Sequence, residues 1–146
     1  MKKQPLWAVY CFIENKEETL LVQDTGKPGW KIPGGKVDYG EEILKTLKRE
    51  LAEEVGLKVD VSGIVCIQEY VKKGEKHRLR LFFRGKLAGG ELKFVDGEVC
   101  RAKWINKKEM VNIDEKKFFK DIYYQATKLY LKGLNCPIEF LNTVKK

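Results

Sequence analysis

From Trp7 to Ile13 every residue is apolar, with Trp7, Val9, Cys11 and Ile13 alternating against Ala8, Tyr10 and Phe12. Successive side chains of a strand point to opposite faces, so a run apolar in both phases needs cover on both sides. Leu6 to Ile13 is therefore read as a central strand. The polar turn Glu14 to Glu18 leads into Thr19-Leu20-Leu21-Val22-Gln23, which reads as its hairpin partner. Asp24 to Gly29, with two glycines and a proline, reads as a loop before the short extended piece Trp30-Lys31-Ile32-Pro33-Gly34-Gly35.

Glu42 to Val55 reads as a helix: it is rich in helix formers, carries Leu44, Leu47, Leu51 and Val55 on one side, and meets Gly56 as its stop. Lys58 to Lys73 and Arg78 to Leu87 flank the polar turn at Lys73-Gly74-Glu75-Lys76 and form a second long hairpin. Val99 to Ile105 is a further strand, with Asn106 capping a short helical turn. Asp114 is then expected to cap a long helix ending at Gly133, its buried stripe formed by Phe118, Phe119, Ile122, Tyr123, Ala126, Leu129 and Tyr130. The order strands, helix, strands, helix indicates an α/β (α+β) domain, a mixed sheet with helices on its faces. With 146 residues, 43% of them hydrophobic, residues 1–146 read as a single domain.

Met1-Lys2-Lys3-Gln4-Pro5 and the charged break at Glu14 to Glu18 do not resemble a signal peptide, and no stretch reaches membrane-spanning length. Cys11, Cys66, Cys100 and Cys136 are scattered without a CxxC pair. Reduced thiols in a cytoplasmic protein are the expectation. The 29 Lys and Arg against 21 Asp and Glu give a net charge of +8, which favours phosphorylated ligands. Because the lysines are dispersed, most of them read as solvated surface. Several acidic residues, by contrast, crowd into Glu41 to Glu54.

Within the helix, Glu50, Glu53 and Glu54 stand at i, i+3 and i+4, which puts their carboxylates on one face while Leu47 and Leu51 bury the other side. Crowded like charges raise one another's pKa unless a cation keeps them ionised. Magnesium, a hard ion that takes carboxylate oxygens and bridges phosphates, suits such a face. Taken alone, such a string is more often the face of a solvated Glu/Lys-rich helix. On β-strand spacing Arg78, Arg80 and Arg84 share a face with Phe82, opposite Leu79, Leu81 and Phe83. Arg80 and Arg78 are candidates for contact with a substrate phosphate, against the alternative of an exposed, positively charged sheet edge. His77 beside the hairpin turn reads as solvated.

The longer pattern resolves the helix. Gly35 is followed after five residues by Glu41, and after seven more by Arg49-Glu50-Leu51-Ala52-Glu53-Glu54-Val55-Gly56-Leu57, with Trp30 to Gly34 upstream. This resembles the Nudix hydrolase family at every defined position of its box. The resemblance implies a Nudix-type α/β/α sandwich with a loop-helix-loop catalytic motif. It further implies Mg2+, with Mn2+ as a substitute, on Glu50, Glu53, Glu54 and the Gly34 carbonyl, one glutamate activating the attacking water. Glu50 and Glu53 are the leading catalytic candidates. Arg49 joins them by orienting the carboxylates through Glu41 or Glu53, and Gly35, Glu41 and Gly56 shape the motif. An additional acidic ligand before a late strand is expected at Glu98, with Asp96 as competitor. The expected reaction is hydrolysis of a phosphoanhydride bond in a nucleoside di- or triphosphate or a related small pyrophosphate compound. Arg80-Leu81-Phe82-Phe83 and the C-terminal portion also resemble a bacterial subgroup of broad nucleotide and thiamine-precursor pyrophosphate phosphatases. Two other readings are an RNA 5′-pyrophosphohydrolase, disfavoured because no compact basic and aromatic stretch is present, and a nucleotide-sensing module without catalysis, disfavoured because all box carboxylates are kept.

Overall fold

The computed structural model describes residues 4–146; Met1-Lys2-Lys3 lies outside them. β1 (Leu6–Asn15) sits inside a seven-stranded mixed sheet ordered β6-β2-β1-β5-β4-β7. It pairs antiparallel with β2 (Glu18–Asp24) and parallel with β5 (Arg78–Gly90), while β3 (Gly34–Lys36) joins antiparallel opposite Ala8 to Tyr10. β4 (Leu57–Tyr70) forms the long hairpin with β5, β6 (Val99–Asn106) closes against β2, and β7 (Cys136–Pro137) adds a short edge to β4.

The alternation in β1 separates two cores. Val9, Cys11 and Ile13 pack with Leu47, Leu51 and Val55 of α1 (Ile43–Val55). Ala8, Tyr10 and Phe12 pack with Tyr123, Ala126 and Tyr130 of α3 (Asp121–Leu131). The central strand is thus covered on both faces, and the result is an α/β/α sandwich of mixed sheet and helices. Each large apolar side chain buried in this way contributes roughly 1.5–3 kcal/mol.

α1 ends at Gly56, whose φ of 72 and hydrogen bond to the Ala52 carbonyl make a left-handed cap. The segment after β5 completes that end: Lys93 N–H donates to the Val55 carbonyl and Asp96 N–H to that of Glu53. Asn106 caps the four-residue α2 (Lys107–Met110) by accepting from Glu109 N–H.

The long C-terminal helix is shorter than its periodicity implies. Asp114 caps only the 3-10 turn Glu115–Lys117, and α3 begins at Asp121. Between them Phe118 is extended, because Trp30 bridges to it: Trp30 N–H donates to the Lys117 carbonyl and Phe119 N–H to that of Trp30. Strand-like pairing with a distant segment overrides the local helical preference. A second correction concerns β5, which is no exposed sheet edge. Lying between β1 and β4, it is covered on both sides, and Arg80 is only 6% exposed beside fully buried Phe82.

α3 is tied to the sheet by a polar network across β1, β2 and β5. Tyr130 Oη donates to Glu14 Oε2 at 2.6 Å and lies 2.8 Å from Thr19 Oγ1, while Arg84 Nη2 donates to the same Glu14 oxygen at 2.7 Å. Burial pushes the Glu14 carboxyl up, but the bonds from Arg84 and Tyr130 outweigh it and hold it below the usual carboxylate range. Among the described residues all four cysteines are free, and no helix is long and apolar enough to cross a membrane.

Tyr130→Phe keeps the ring stacked on Phe12 but leaves Thr19 and Glu14 short of a partner. The expected cost is about 1–3 kcal/mol, read as a lower urea midpoint at unchanged slope. An unchanged midpoint would show that the network contributes nothing to stability.

Candidate active site

A cavity of about 590 Å³ opens where α1, β3, the end of β2 and the loop before β6 converge. Glu50, Glu53, Glu54, Asp24, Asp96 and Glu98 all line it, so the three helix carboxylates and Glu98 share one space. The lining also includes Gly34 and Gly35 of β3, with Lys27, Lys31, Lys36 and Lys120.

The depth of each glutamate differs. Glu54 is 2% exposed, at the junction of α1 with β3, and its Oε2 accepts the Gly34 N–H at 3.3 Å. The Glu50 side chain is 16% exposed and that of Glu53 46%, so Glu53 has the freest access to solvent. Gly34 has a φ of 153, and a Cβ there would overlap the Val9 carbonyl and Tyr10. Only glycine allows β3 to run this close to β1 and still aim its amide at Glu54. At Gly35 a Cβ would come within 2.5 Å of the Glu50 carboxyl carbon, so this position leaves space for that side chain.

Arg49 organises the carboxylates from the helix flank. Its Nη2 and Nε donate to the two oxygens of Glu41 at 2.9 and 3.1 Å, and its Nη1 reaches Glu50 Oε1 and Glu53 Oε2 at 3.2 Å each. The Glu41 carboxyl, hydrogen-bonded by Arg49 and Thr46, is held down at about 2. Burial pushes Glu54 up to about 8, opposed by Lys31 and the Gly34 N–H and reinforced by Glu50 and Asp24. Glu50 is raised by burial, with Arg49 opposing and Glu53 adding to it.

Two wall residues escape a reading of the sequence. Asp24 pairs with the buried Lys31 at 3.1 Å, and its Oδ1 is buried without a partner. The signal was faint but present: Leu20 and Val22 are core residues of one face, and Asp24 puts a charge at the next position of that phase. Lys31 is reached only because β2 and the Trp30 segment pair at Val22 and Lys31. In the loop, Asp96 Oδ1 accepts the Glu98 N–H at 3.0 Å. Tyr123 and Phe119, part of the aromatic stripe, are packing residues that also line the cavity. His77 is exposed and contacts Glu69 at 2.8 Å, away from this cluster.

The family model for the NUDIX domain matches residues 4–126. The chain belongs to the Nudix family. Nudix relatives include Nudix hydrolase 6 of Arabidopsis thaliana, 33% identical over 113 residues, which are 71% of this chain and 40% of that protein. The human 8-oxo-dGDP phosphatase NUDT18 is 30% identical over 99 residues, 64% of this chain and 29% of that one. The chain therefore spans less than half the length of these two relatives. A solved Nudix hydrolase from Nitrosomonas europaea superposes with a TM-score of 0.82 at 22% identity, covering 97% of this chain and 98% of that one. At that identity the likeness establishes the fold.

The donors in this Nudix cavity are hard oxygens, and Asp24 Oδ1 and the desolvated Glu50 and Glu54 carboxylates lack sufficient compensation as they stand. Among the described residues no three acidic, His or Cys side chains are gathered closely enough to hold an ion; Glu50 and Glu53 share Arg49 Nη1, while Glu54 accepts the Gly34 amide. Magnesium needs only one or two protein carboxylates, completing its shell with water and substrate phosphate. The donor set fits such an ion.

In metal-free protein Glu54 gives stability a distinctive pH dependence. The unfolded chain releases this proton near the ordinary glutamate value, whereas the folded chain keeps it up to about 8. Between those limits the folded state binds more protons, so Glu54 lowers stability as pH rises through that window. Glu54→Gln is expected to exceed wild type by on the order of 1–3 kcal/mol above pH 8, the advantage vanishing towards pH 5. Chemical unfolding in a chelator at both pH values checks this; equal stability throughout would rule out the buried charge.

Proposed function

We propose that this Nudix chain hydrolyses a phosphoanhydride bond in a nucleoside di- or triphosphate or a related small pyrophosphate compound, using magnesium, with manganese as a substitute. The single observation that carries the reading is the convergence of Glu50, Glu53, Glu54 and Glu98 on one cavity whose other wall bears lysines. The name of the human relative, a phosphatase for an oxidised nucleoside diphosphate, supports the nucleotide class.

Glu50, Glu53, Glu54, the Gly34 carbonyl and Glu98 are the groups that would hold the ion, one or two carboxylates directly and the others through water, and when bound it neutralises phosphate charge and acts as a Lewis acid. Glu54 is rigidly placed for this, being buried and fixed by the Gly34 amide. Glu53, the most exposed of the three, takes the proton of the attacking water. Water oxygen then bonds to phosphorus, the bridging P–O bond breaks, and the leaving phosphate is protonated from solvent. Arg49, fixed by Glu41, keeps Glu50 and Glu53 directed into the cavity. Arg80 and Arg78 bind a substrate phosphate on the far side of Tyr10.

Glu53→Gln and Glu54→Gln preserve size and helical tendency while removing an anionic oxygen. Each is expected to lower magnesium-dependent turnover by at least about a hundredfold with the fold intact. The check is turnover of a panel of nucleoside di- and triphosphates, ADP-ribose and thiamine-precursor pyrophosphates, with circular dichroism of both variants. Near-wild-type rates in both would sink the assignment.

A further inference from the structure

Beside the glutamate cavity lies a smaller one, about 260 Å³, sharing with it the walls Tyr10, Lys27, Lys36, Lys120 and Tyr123. Arg78 and Arg80 complete its charged lining, and no carboxylate lines it. The sheet register explains why these cations meet. Lys36 pairs with Ala8, and Ala8 with Arg80, so the two basic side chains stand on one row with only a methyl group between them. Neighbouring strands are about 4.8 Å apart, which sets the two ends of that row roughly 10 Å from each other. Leu6 and Arg78 form the next row on the same face.

Arg80 is the decisive member. It is 6% exposed and its Nη1 is fully buried without a hydrogen-bond partner. The guanidinium groups of Arg78 and Arg80 each lie 5.4 Å from the Tyr70 ring, which supports them from the side but satisfies no N–H. Gln68 faces Arg80 on β4, yet its Nε2 donates to the Ile122 carbonyl at 3.0 Å and its Oε1 is itself unpartnered. Burial and the nearby Arg78, Arg80 and Lys27 lower the Lys120 ammonium below the usual lysine range, and Glu75 opposes them without restoring it. A buried, unpaired guanidinium is costly unless a ligand completes it. Its planar fork suits a phosphate.

Resting on the hydrolase reading above, we propose that this cationic cavity binds a second phosphate, a monoester separate from the scissile pyrophosphate. The preferred substrate is then a small pyrophosphate compound carrying a phosphate at its other end, rather than one presenting an uncharged base there. At about 260 Å³ the space falls below the roughly 300–1,000 Å³ of pockets that enclose drug-sized groups, and fits a compact anion.

Matched pairs that differ by one phosphate monoester test this: coenzyme A against dephospho-coenzyme A, ADP-ribose 2′-phosphate against ADP-ribose, and adenosine 3′-phosphate 5′-diphosphate against ADP. Binding is measured by calorimetry in EDTA, and kcat/KM with magnesium. In at least one pair the phosphate-bearing member is expected to bind at least about tenfold more tightly, since a hydrogen bond to a charged group is worth that much or more. The ratio within that pair should collapse towards one in Arg80→Gln, and also in Lys120→Ala, a surface change that keeps the test open if the buried variant fails to fold. Equal binding within every pair, or a preference untouched by both variants, overturns the proposal. A binding preference with no turnover of any compound upholds the cavity and sinks the hydrolase reading; turnover without preference does the reverse.

Discussion

The junction of α1 with β3 governs how this molecule is put together. Glu54 is buried there against the Gly34 amide, and Gly34 can occupy its place only because nothing projects from its Cα towards Val9 and Tyr10. A carboxylate in such a spot is a liability in isolation. Lys31 and the Gly34 amide offset its charge, while Arg49, braced by Glu41, holds the neighbouring Glu50 and Glu53. The helix is thereby fixed in rotation as well as in depth. Leu47, Leu51 and Val55 anchor the opposite side of the same helix in the core, so burial of apolar surface supplies the stability that the acidic side gives up.

Much of this was legible in the sequence, for reasons that differ from element to element. β1 announced itself because its neighbours cover both faces, and a strand in that position has no polar phase. The helical spacing of Glu50, Glu53 and Glu54 fixed a shared direction without any tertiary information. The parts that were not legible depend on contacts between distant segments. The start of α3 was displaced because Trp30 pairs with Phe118, and no local pattern around Asp114 encodes that. Arg80 alternates correctly, but the alternation could not say that a helix would cover its side of the sheet. Asp24 and Lys31 became neighbours through the pairing of β2 with the segment following its loop.

Two cavities meet at Tyr10, and the charge of the molecule is divided there. On one side of that ring lie the carboxylates of α1, and on the other the guanidinium groups of β5. The overall excess of basic residues says little about this arrangement, since a surface scattered with lysine attracts anions weakly from all directions. Opposed clusters within one continuous cleft instead give a bound polyanion a definite polarity.

The parallel pairing of β1 with β5 has a consequence for how the molecule forms. The β1–β2 and β4–β5 hairpins each close between near neighbours in the chain, but the seam between them aligns Leu6 with Arg78 and can form only after a long loop has been closed. Contact-order reasoning places such a step late and makes it slow. The cationic cavity straddles that seam, with Ala8 and Tyr10 on one strand and Arg78 and Arg80 on the other, so its charges are brought together in the final stage of folding. The repulsion stored in them acts on the barrier to the native state, and leaves the two hairpins free to assemble first.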